Sequence, residues 1–318
     1  MSNVAVSSSE AIGEGRIRHE VCVACGAPES PAYLTCKSRV ISRCPTCGLQ
    51  WQNPQPTDAE LAKIYGTYYF IGSDDGESRA RKLRIKQATA QLYLEMIKHY
   101  LSPVREASCA KGTLLEVGSG QGEFLCEALS QGYSVTGVEY SAEACSAARS
   151  SLVAIDPSGA RFSVKQGALE EVTLDAGSFD LCVMNDVIEH VREPQKTLAR
   201  ARELLRPGGV LFIATPSLDS WSARLMGKLW MEYKEEHLFF FSNSSLKRAL
   251  EGAGFANVAL RPGYKVLTLE YIAQHFEKFP VPGFSPLVKV AVGLLPRSLA
   301  RRPIRVVASG VIALATAR

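Results

Sequence analysis

The sequence predicts an α/β protein: a doubly wound sheet covered by helices on both faces, behind a small N-terminal metal-binding module. Two observations predict it. From Thr113 onward, short apolar strands alternate with helical stretches, the pattern of a parallel sheet whose crossovers are helices. Ahead of them, two C-x-x-C-G knuckles stand close together. At 318 residues the chain is long enough for one α/β domain of ordinary size plus a small module.

Met1 to about Gly15 is rich in Ser and Gly and is expected to be disordered. The cysteine module then occupies 16–52. Cys22-Val-Ala-Cys25-Gly and Cys44-Pro-Thr-Cys47-Gly supply four thiolates on two tight turns, the donor set zinc takes in a closed tetrahedral site. Four sulfurs saturate the ion, so Cys22, Cys25, Cys44 and Cys47 are read as ligands of a structural zinc. Two paired copies in so short a stretch speak against a redox pair. Cys36 is read as a packing cysteine, and Cys109, Cys126, Cys145 and Cys182 as inert core thiols.

Residues 53–106 read as a linker and helical cap. Asp58–Tyr65 is a short helix with Thr57 as its N-cap, followed by the aromatics Tyr65, Tyr68, Tyr69 and Phe70, which either cover a ligand or pack the linker. Glu77–Leu101 is a longer helix, with Leu92, Met96 and Tyr100 in one stripe flanked by Ile97 and Leu101. Arg79, Arg81, Lys82, Arg84 and Lys86 crowd its first half. A solvated face explains that run more simply than a phosphate-facing patch does.

The region 107–318 carries seven strand candidates: Thr113–Val117, Ser134–Glu139, Arg161–Gln166, Phe179–Met184, Val210–Ala214, Phe255–Leu269 and Gly310–Ala317. Helices lie between them at Glu123–Ser130, Ala142–Ser150, Glu193–Leu205 and Ser242–Ala253. An irregular insertion, at about 271–307, separates the last two strands. The first strand runs into Glu116-Val117-Gly118-Ser119-Gly120-Gln121-Gly122. Glycines at such a turn let the backbone lie against a ligand. The second strand ends at Glu139, where a carboxylate can accept both hydroxyls of a ribose. A dinucleotide site wants G-x-G-x-x-G; here the third glycine comes one residue early and Glu116 precedes the loop, which suits a ligand with a cationic amino-acid head and no pyrophosphate.

With those residues in view, Leu114–Pro216 resembles the class I S-adenosylmethionine-dependent methyltransferases. The pieces that carry the resemblance are LLEVGSGQGEFL, VTGVEYS, GSFDLCVMNDVIEHV and LLRPGGVLFIATP. It implies a Rossmann-like seven-stranded sheet with its last strand antiparallel. It also implies S-adenosyl-L-methionine as cofactor, with Glu116, Gly118, Gly120 and Gly122 toward its methionine part, Glu139 on its ribose and Asn185 near the sulfonium. Where family members often carry Asp for the adenine amine this chain has Ala168, so backbone groups of Ala168 and Leu169 are expected there. The stretch CGLQWQNPQPTDAELAKIYGTYYF is similar to the linker of bacterial zinc-ribbon methyltransferases of polysaccharide and natural-product pathways.

Methyl transfer needs an aligned nucleophile and, for a hydroxyl, a general base. Asn185–His190 and Trp230–His237 reach the edge where the parallel strands end. His237 is the first expectation for the base and His190 the second, with Asp186 orienting the acceptor. The resemblance and the zinc module imply a small-molecule acceptor: a hydroxyl of a sugar, of a glycolipid or other lipid-linked molecule, or of a secondary metabolite. RNA is the alternative acceptor, disfavoured by a net charge of only +4 and by the absence of an N/D-P-P-Y/F motif after the fourth strand. A sugar C-methyltransferase is another, although its zinc module has a different pattern.

No leader-like apolar run opens the chain and none is long enough to cross a bilayer, so a cytoplasmic protein with reduced thiols is expected. The insertion combines Phe276, Phe279, Phe284, Leu294 and Leu295 with Lys289, Arg297, Arg301, Arg302 and Arg305. That mixture suits a lid, a dimer contact, or a patch resting on the inner membrane face.

Overall fold

A computed structural model of the chain describes residues 9–12, 16–28, 32–36, 39–64, 76–101, 112–278 and 283–318. The readings placed on residues 1–8 and 13–15 and on Tyr65, Tyr68, Tyr69, Phe70, Cys109 and Phe279 lie outside the described residues.

The N-terminal hairpin pairs β1 (Ser9–Ile12) with β2 (Arg16–His19) in antiparallel register. This corrects the expectation of disorder for Ser9–Ile12. Composition weighs side chains, whereas a two-stranded ladder satisfies backbone N–H and C=O groups whatever the side chains are. The cysteine module contributes β3 (Ala32–Cys36), β4 (Arg39–Arg43) and β5 (Gln50–Gln52). Then α1 (Asp58–Ile64) opens on a capping box. The Glu60 N–H donates to Thr57 Oγ1 at 3.1 Å, and the Thr57 N–H donates to Glu60 Oε2 at 2.7 Å.

The long helix α2 (Gly76–Leu101) buries Ile85, Tyr93, Leu94 and Ile97. Its buried stripe is therefore centred on Tyr93, Leu94 and Ile97, while Met96 and Tyr100 sit at its margin. In its first half Lys82, Arg84 and Lys86 are exposed, and Lys86 pairs with Glu123 at 2.7 Å; Arg81 is largely covered and pairs with Glu270 at 2.8 Å.

The main sheet is built from β6 (Thr113–Val117), β7 (Ser134–Glu139), β8 (Phe162–Gln166), β9 (Phe179–Asn185) and β10 (Leu205–Pro216) as parallel strands. Its crossovers are α3 (Glu123–Ser130), α4 (Ala142–Val153) and α5 (Pro194–Leu204). After β10 come α6 (Trp221–Met226), the short strand β11 (Phe239–Phe240) and α7 (Asn243–Gly252). β12 (Phe255–Leu267), three helices α8 (Leu269–Lys278), α9 (Phe284–Gly293) and α10 (Arg297–Ala300), and β13 (Ile304–Ala317) complete the chain. The order across the sheet is β12-β13-β10-β9-β6-β7-β8, with β13 antiparallel to both neighbours.

The central strands bury both faces, as their unbroken apolar runs require. Leu181 and Val183 of β9, with Val210 and Phe212 of β10, face α2, α3 and α4. Cys182, Met184, Leu211 and Ile213 face α5, α7 and the cysteine module. The irregular insertion expected between the last strands is instead helical. β12 and β13 also run past the end of β10, pairing Tyr264 with Val307 and Leu267 with Ile304 beyond the Pro216–Gly310 pair. The insertion thus rises from the edge where the parallel strands end.

The cysteine module is continuous with the part of the chain that builds the main sheet. β11 adds to β5 in a second sheet of order β11-β5-β4-β3, so a strand from residues 239–240 completes the module's own sheet. Trp51 and Leu49 share a core with Phe239, Phe241 and Leu246. The four sulfurs of Cys22, Cys25, Cys44 and Cys47 lie within 4.8 Å of one another, and the Cys22–Cys47 and Cys25–Cys44 pairs are each 3.5 Å apart. Zinc bonded at about 2.3 Å to four sulfurs separates them by roughly 3.8 Å, so the donor set fits the ion. The sulfurs crowd one another: a hydrogen bond from Cys22 pulls the Cys47 thiol down to about 5, and that same contact together with burial drives Cys22 up.

Removing zinc with a chelator is expected to cost the chain binding free energy on the order of 10 kcal/mol. The expected readout is a red shift in tryptophan emission as the buried Trp51 meets water, together with a lower thermal midpoint. An unchanged emission spectrum and midpoint after verified metal removal would mean that the module folds without the ion.

Candidate active site

In an open α/β sheet, ligands bind outside the carboxyl ends of the strands where the strand order reverses. Here that point lies between β6 and β9. Glu116, next to last in β6, and Asn185, last in β9, meet across it: Asn185 Nδ2 donates to Glu116 Oε1 at 3.3 Å. Burial, with Glu123 and Glu139 nearby, lifts the Glu116 carboxyl well above the usual range, and its Oε2 is buried with no partner in the protein. A buried carboxylate oxygen left over at the switch point is what a cationic head group would satisfy.

The loop after β6 supplies the floor. Gly118 has φ 67°, and a Cβ there would meet Val187 Cγ2 at 2.6 Å. Gly120 has φ 52°, and a Cβ there would find open space apart from Glu123 Oε2 at 3.9 Å, so its backbone faces outward as a cradle. Gly122 does a different job: it is the N-cap of α3, and its missing Cβ lets Ala148 of α4 pack closely.

Glu139 is buried at the end of β7. Its Oε2 accepts from the Gly120 N–H at 2.8 Å, and its Oε1 accepts from the Ser141 N–H at 2.9 Å. Each carboxylate oxygen has a second lone pair, so the anchored carboxylate still offers one acceptor per oxygen to a pair of vicinal hydroxyls. In the turn after β8 the Ala168 carbonyl is taken by the Glu171 and Val172 amides, and the Leu169 side chain is in the core. What this turn offers a ligand is backbone. The buried Glu116 oxygen, the open Gly120 backbone and the anchored Glu139 together fit S-adenosylmethionine.

Beside this crevice lies a charged edge. Asp186 adopts φ 51° and pairs with Lys265 of β12 at 2.8 Å. Enclosure pushes the Asp186 carboxyl up, but Lys265 outweighs it and holds the group below its usual range. Lys234 pairs with Glu232 at 2.9 Å on the same edge. The rings of His190 and His237 stand edge to face, 4.7 Å between centroids, and a ligand atom from each lies within 4.8 Å of a Glu189 oxygen.

Burial lowers the pKa of both imidazoles, that of His237 the further because His190 and Lys234 add positive charge beside it. A carbonyl only accepts, so the contact of His190 Nδ1 with the Glu236 oxygen at 3.0 Å places a proton on Nδ1. The Nδ1 of His237 is buried without a partner in the protein. Glu189 fixes the loop. Its carbonyl receives the Leu238 and Phe239 amides, Thr215 donates to its Oε2 at 2.9 Å, and burial lifts its carboxyl to about 8.

The segment carrying these groups is held by the cysteine module. Gln52 Nε2 donates to the carbonyls of His237 at 2.7 Å and Glu235 at 2.9 Å. Arg39 donates to the carbonyls of Lys234 at 2.6 Å and Tyr233 at 3.0 Å, and Tyr233 donates to Gln50 Oε1 at 2.8 Å.

Of the residues anticipated from sequence, Glu116 and Asn185 touch, Glu139 touches the glycine loop, and His190 and His237 touch each other. Lys265, Lys234 and Glu232 were missed. Lys265 sits in a strand with no motif around it and reaches the edge only because β12 overruns its neighbours. Arg39, Gln50 and Gln52 were also missed, since polar residues in a short strand carry no chemical signal until their partners are known.

Residues 87–260, more than half of the chain, match the family described as methyltransferase domain. Among curated relatives, the ubiquinone biosynthesis O-methyltransferase of Aromatoleum aromaticum is 29% identical over 189 residues, covering 54% of this chain and 79% of that protein. The enzyme of the same name from Nitrosococcus oceani is 33% identical over 124 residues, covering 37% of this chain and 51% of its own length. The chain spans about half the length of most of the curated relatives it matches. A solved structure of Haemonchus contortus phosphoethanolamine N-methyltransferase 2 with S-adenosyl-L-methionine aligns with a TM-score of 0.46 at 15% identity, covering 84% of this chain and 62% of that one. With its glycine loop, its strand-end carboxylates and the match over residues 87–260, the chain belongs to the methyltransferase-domain family, whose class I members use S-adenosylmethionine.

Proposed function

We propose that the protein methylates a hydroxyl of a small-molecule acceptor, on a sugar, a glycolipid or a secondary metabolite, with S-adenosylmethionine as donor. The observation that carries this reading is the pair of packed rings His190 and His237, with the His237 Nδ1 unpartnered and its pKa lowered by burial, near the Asp186–Lys265 pair.

The cofactor supplies an electrophilic methyl group on a sulfonium. Glu116 would hold its ammonium, Gly118 and Gly120 would let the backbone approach, Glu139 would accept from its ribose, Asn185 would lie toward its sulfonium, and the backbone of Ala168 and Leu169 would meet its adenine. Asp186, held by Lys265, accepts a hydrogen bond from the acceptor and orients it. His237 would take the hydroxyl proton as the oxygen gains the methyl group and the sulfonium S–C bond breaks, the sulfur leaving as the neutral thioether of S-adenosylhomocysteine. Burial keeps His237 neutral, and on acidification a proton on His190 would oppose one on His237.

Glu139→Ala removes two charged acceptors and is expected to weaken S-adenosylmethionine binding at least about tenfold by calorimetric titration. Unchanged affinity would remove Glu139 from the ribose site. His237→Ala is expected to lower kcat by about 10²–10⁴-fold with the cofactor Kd unchanged; full turnover by the folded variant would show that another group is the base. Because the His237 pKa lies well below its ordinary value, the rate should be flat through neutral pH and fall only on acidification. In His190→Ala the neighbouring positive charge is gone, so the acid limb should move to higher pH. An acid limb that stayed in place would separate the two histidines.

A further inference from the structure

No Asp or Glu follows Glu277, while Lys289, Arg297, Arg302 and Arg305 do. The helices of this tail leave large apolar side chains in water. Leu287 and Val290 of α9 and Leu294, the residue that caps its C-terminal end, follow helical spacing and are 68%, 62% and 81% exposed. A second exposed group lies beside β13. Trp221, Leu225 and Leu229 follow one another at intervals of four residues, and the Trp221 indole N–H donates to the Val307 carbonyl at 3.2 Å. Monomeric soluble proteins rarely keep such apolar groups exposed without a partner.

We infer that this face binds an anionic lipid bilayer. The apolar side chains enter the headgroup and acyl boundary, an exposed tryptophan suits that interface, and the arginines meet lipid phosphates. Charge selects the occupant. A second copy of the chain would bring the same cations against one another, whereas an anionic surface neutralises them.

The fold selects the consequence. α8, α9 and α10 rise from the extended β12–β13 hairpin, and that hairpin also carries Lys265 to Asp186. Glu270 of α8 ties the insertion down, pairing with Arg81 at 2.8 Å and with Arg301 at 3.3 Å. The lipid-binding face therefore stands on the same edge of the sheet as the candidate active site, and the acceptor it serves is a hydroxyl borne on a membrane lipid. That last clause rests on the reading above that a hydroxyl is methylated; the membrane contact does not.

The test is sedimentation of the full chain with phosphatidylcholine vesicles, with and without phosphatidylglycerol, alongside calorimetric titration of S-adenosylmethionine. Co-sedimentation only with the anionic vesicles, weakened by salt, is expected. The double variant Leu287→Asp/Leu294→Asp should lose binding about tenfold or more, while its thermal midpoint and cofactor affinity stay unchanged. Arg297→Gln/Arg302→Gln should lose the preference for anionic vesicles. Absence of wild-type sedimentation with anionic vesicles overturns the proposal. So does a wild-type dimer in solution that Leu287→Asp/Leu294→Asp dissolves, which would make a second copy the occupant. Failure of cofactor binding with vesicle binding intact would count against the methyl-transfer reading alone.

Discussion

The pairing of Phe239–Phe240 with Gln50–Gln52 is the contact on which the rest of the site depends. Residues 238–241 are shared by three partners at once: Glu189 receives the amides of Leu238 and Phe239, Gln52 donates its amide to the Leu238 carbonyl, and Phe241 accepts from Leu218 at the end of the central strands. The alternation of a strand sends Phe239 and Phe241 into the main core and Phe240 into the smaller core with Ile41 and Trp230. One short strand thereby locks the zinc module to the sheet.

From that lock follows the electrostatics of the acceptor edge. The loop from Trp230 to His237 has no helix or long strand of its own to order it. Arg39, Gln50 and Gln52 satisfy its carbonyls and Tyr233 instead. Held this way, His237 is packed against His190 and out of water, which keeps it neutral. The module works at a distance from the chemistry as a brace, and its own stability comes from four sulfurs placed to share one ion. The opposite wall is set by β12 overrunning the sheet, which brings a lysine to Asp186 and turns an aspartate at a strained backbone position into a held anion.

Much of the fold was legible because its signals are local. Alternating apolar runs marked all seven main strands, and the helices between them were placed within a few residues. The glycine turn after the first strand, and the strand ends that carry Glu116 and Glu139, were legible because a tight turn from strand to helix calls for glycine at that spacing. The helical character of the insertion was obscured by its prolines, which break the pattern into short pieces, and the hairpin at Ser9–Ile12 was hidden by a composition that resembles a disordered tail. The buried face of α2 was read in part: Leu92 and the flanking Ile97 are buried, Met96 and Tyr100 pack at the margin, and Tyr93 and Leu94, which complete the face, were not singled out.

By itself the sequence determined the α/β class, the order of the strands along the chain, the four-cysteine donor set and the cofactor loop, since each depends on residues near one another in the chain. Only the tertiary structure decided that the zinc module braces the His237 segment, that Lys265 faces Asp186, and that the two histidines meet. Those contacts join residues 47 to 185 positions apart. Over such separations no local pattern exists to be read, and the partners are chosen by which strand edge is open and which side chains share a core.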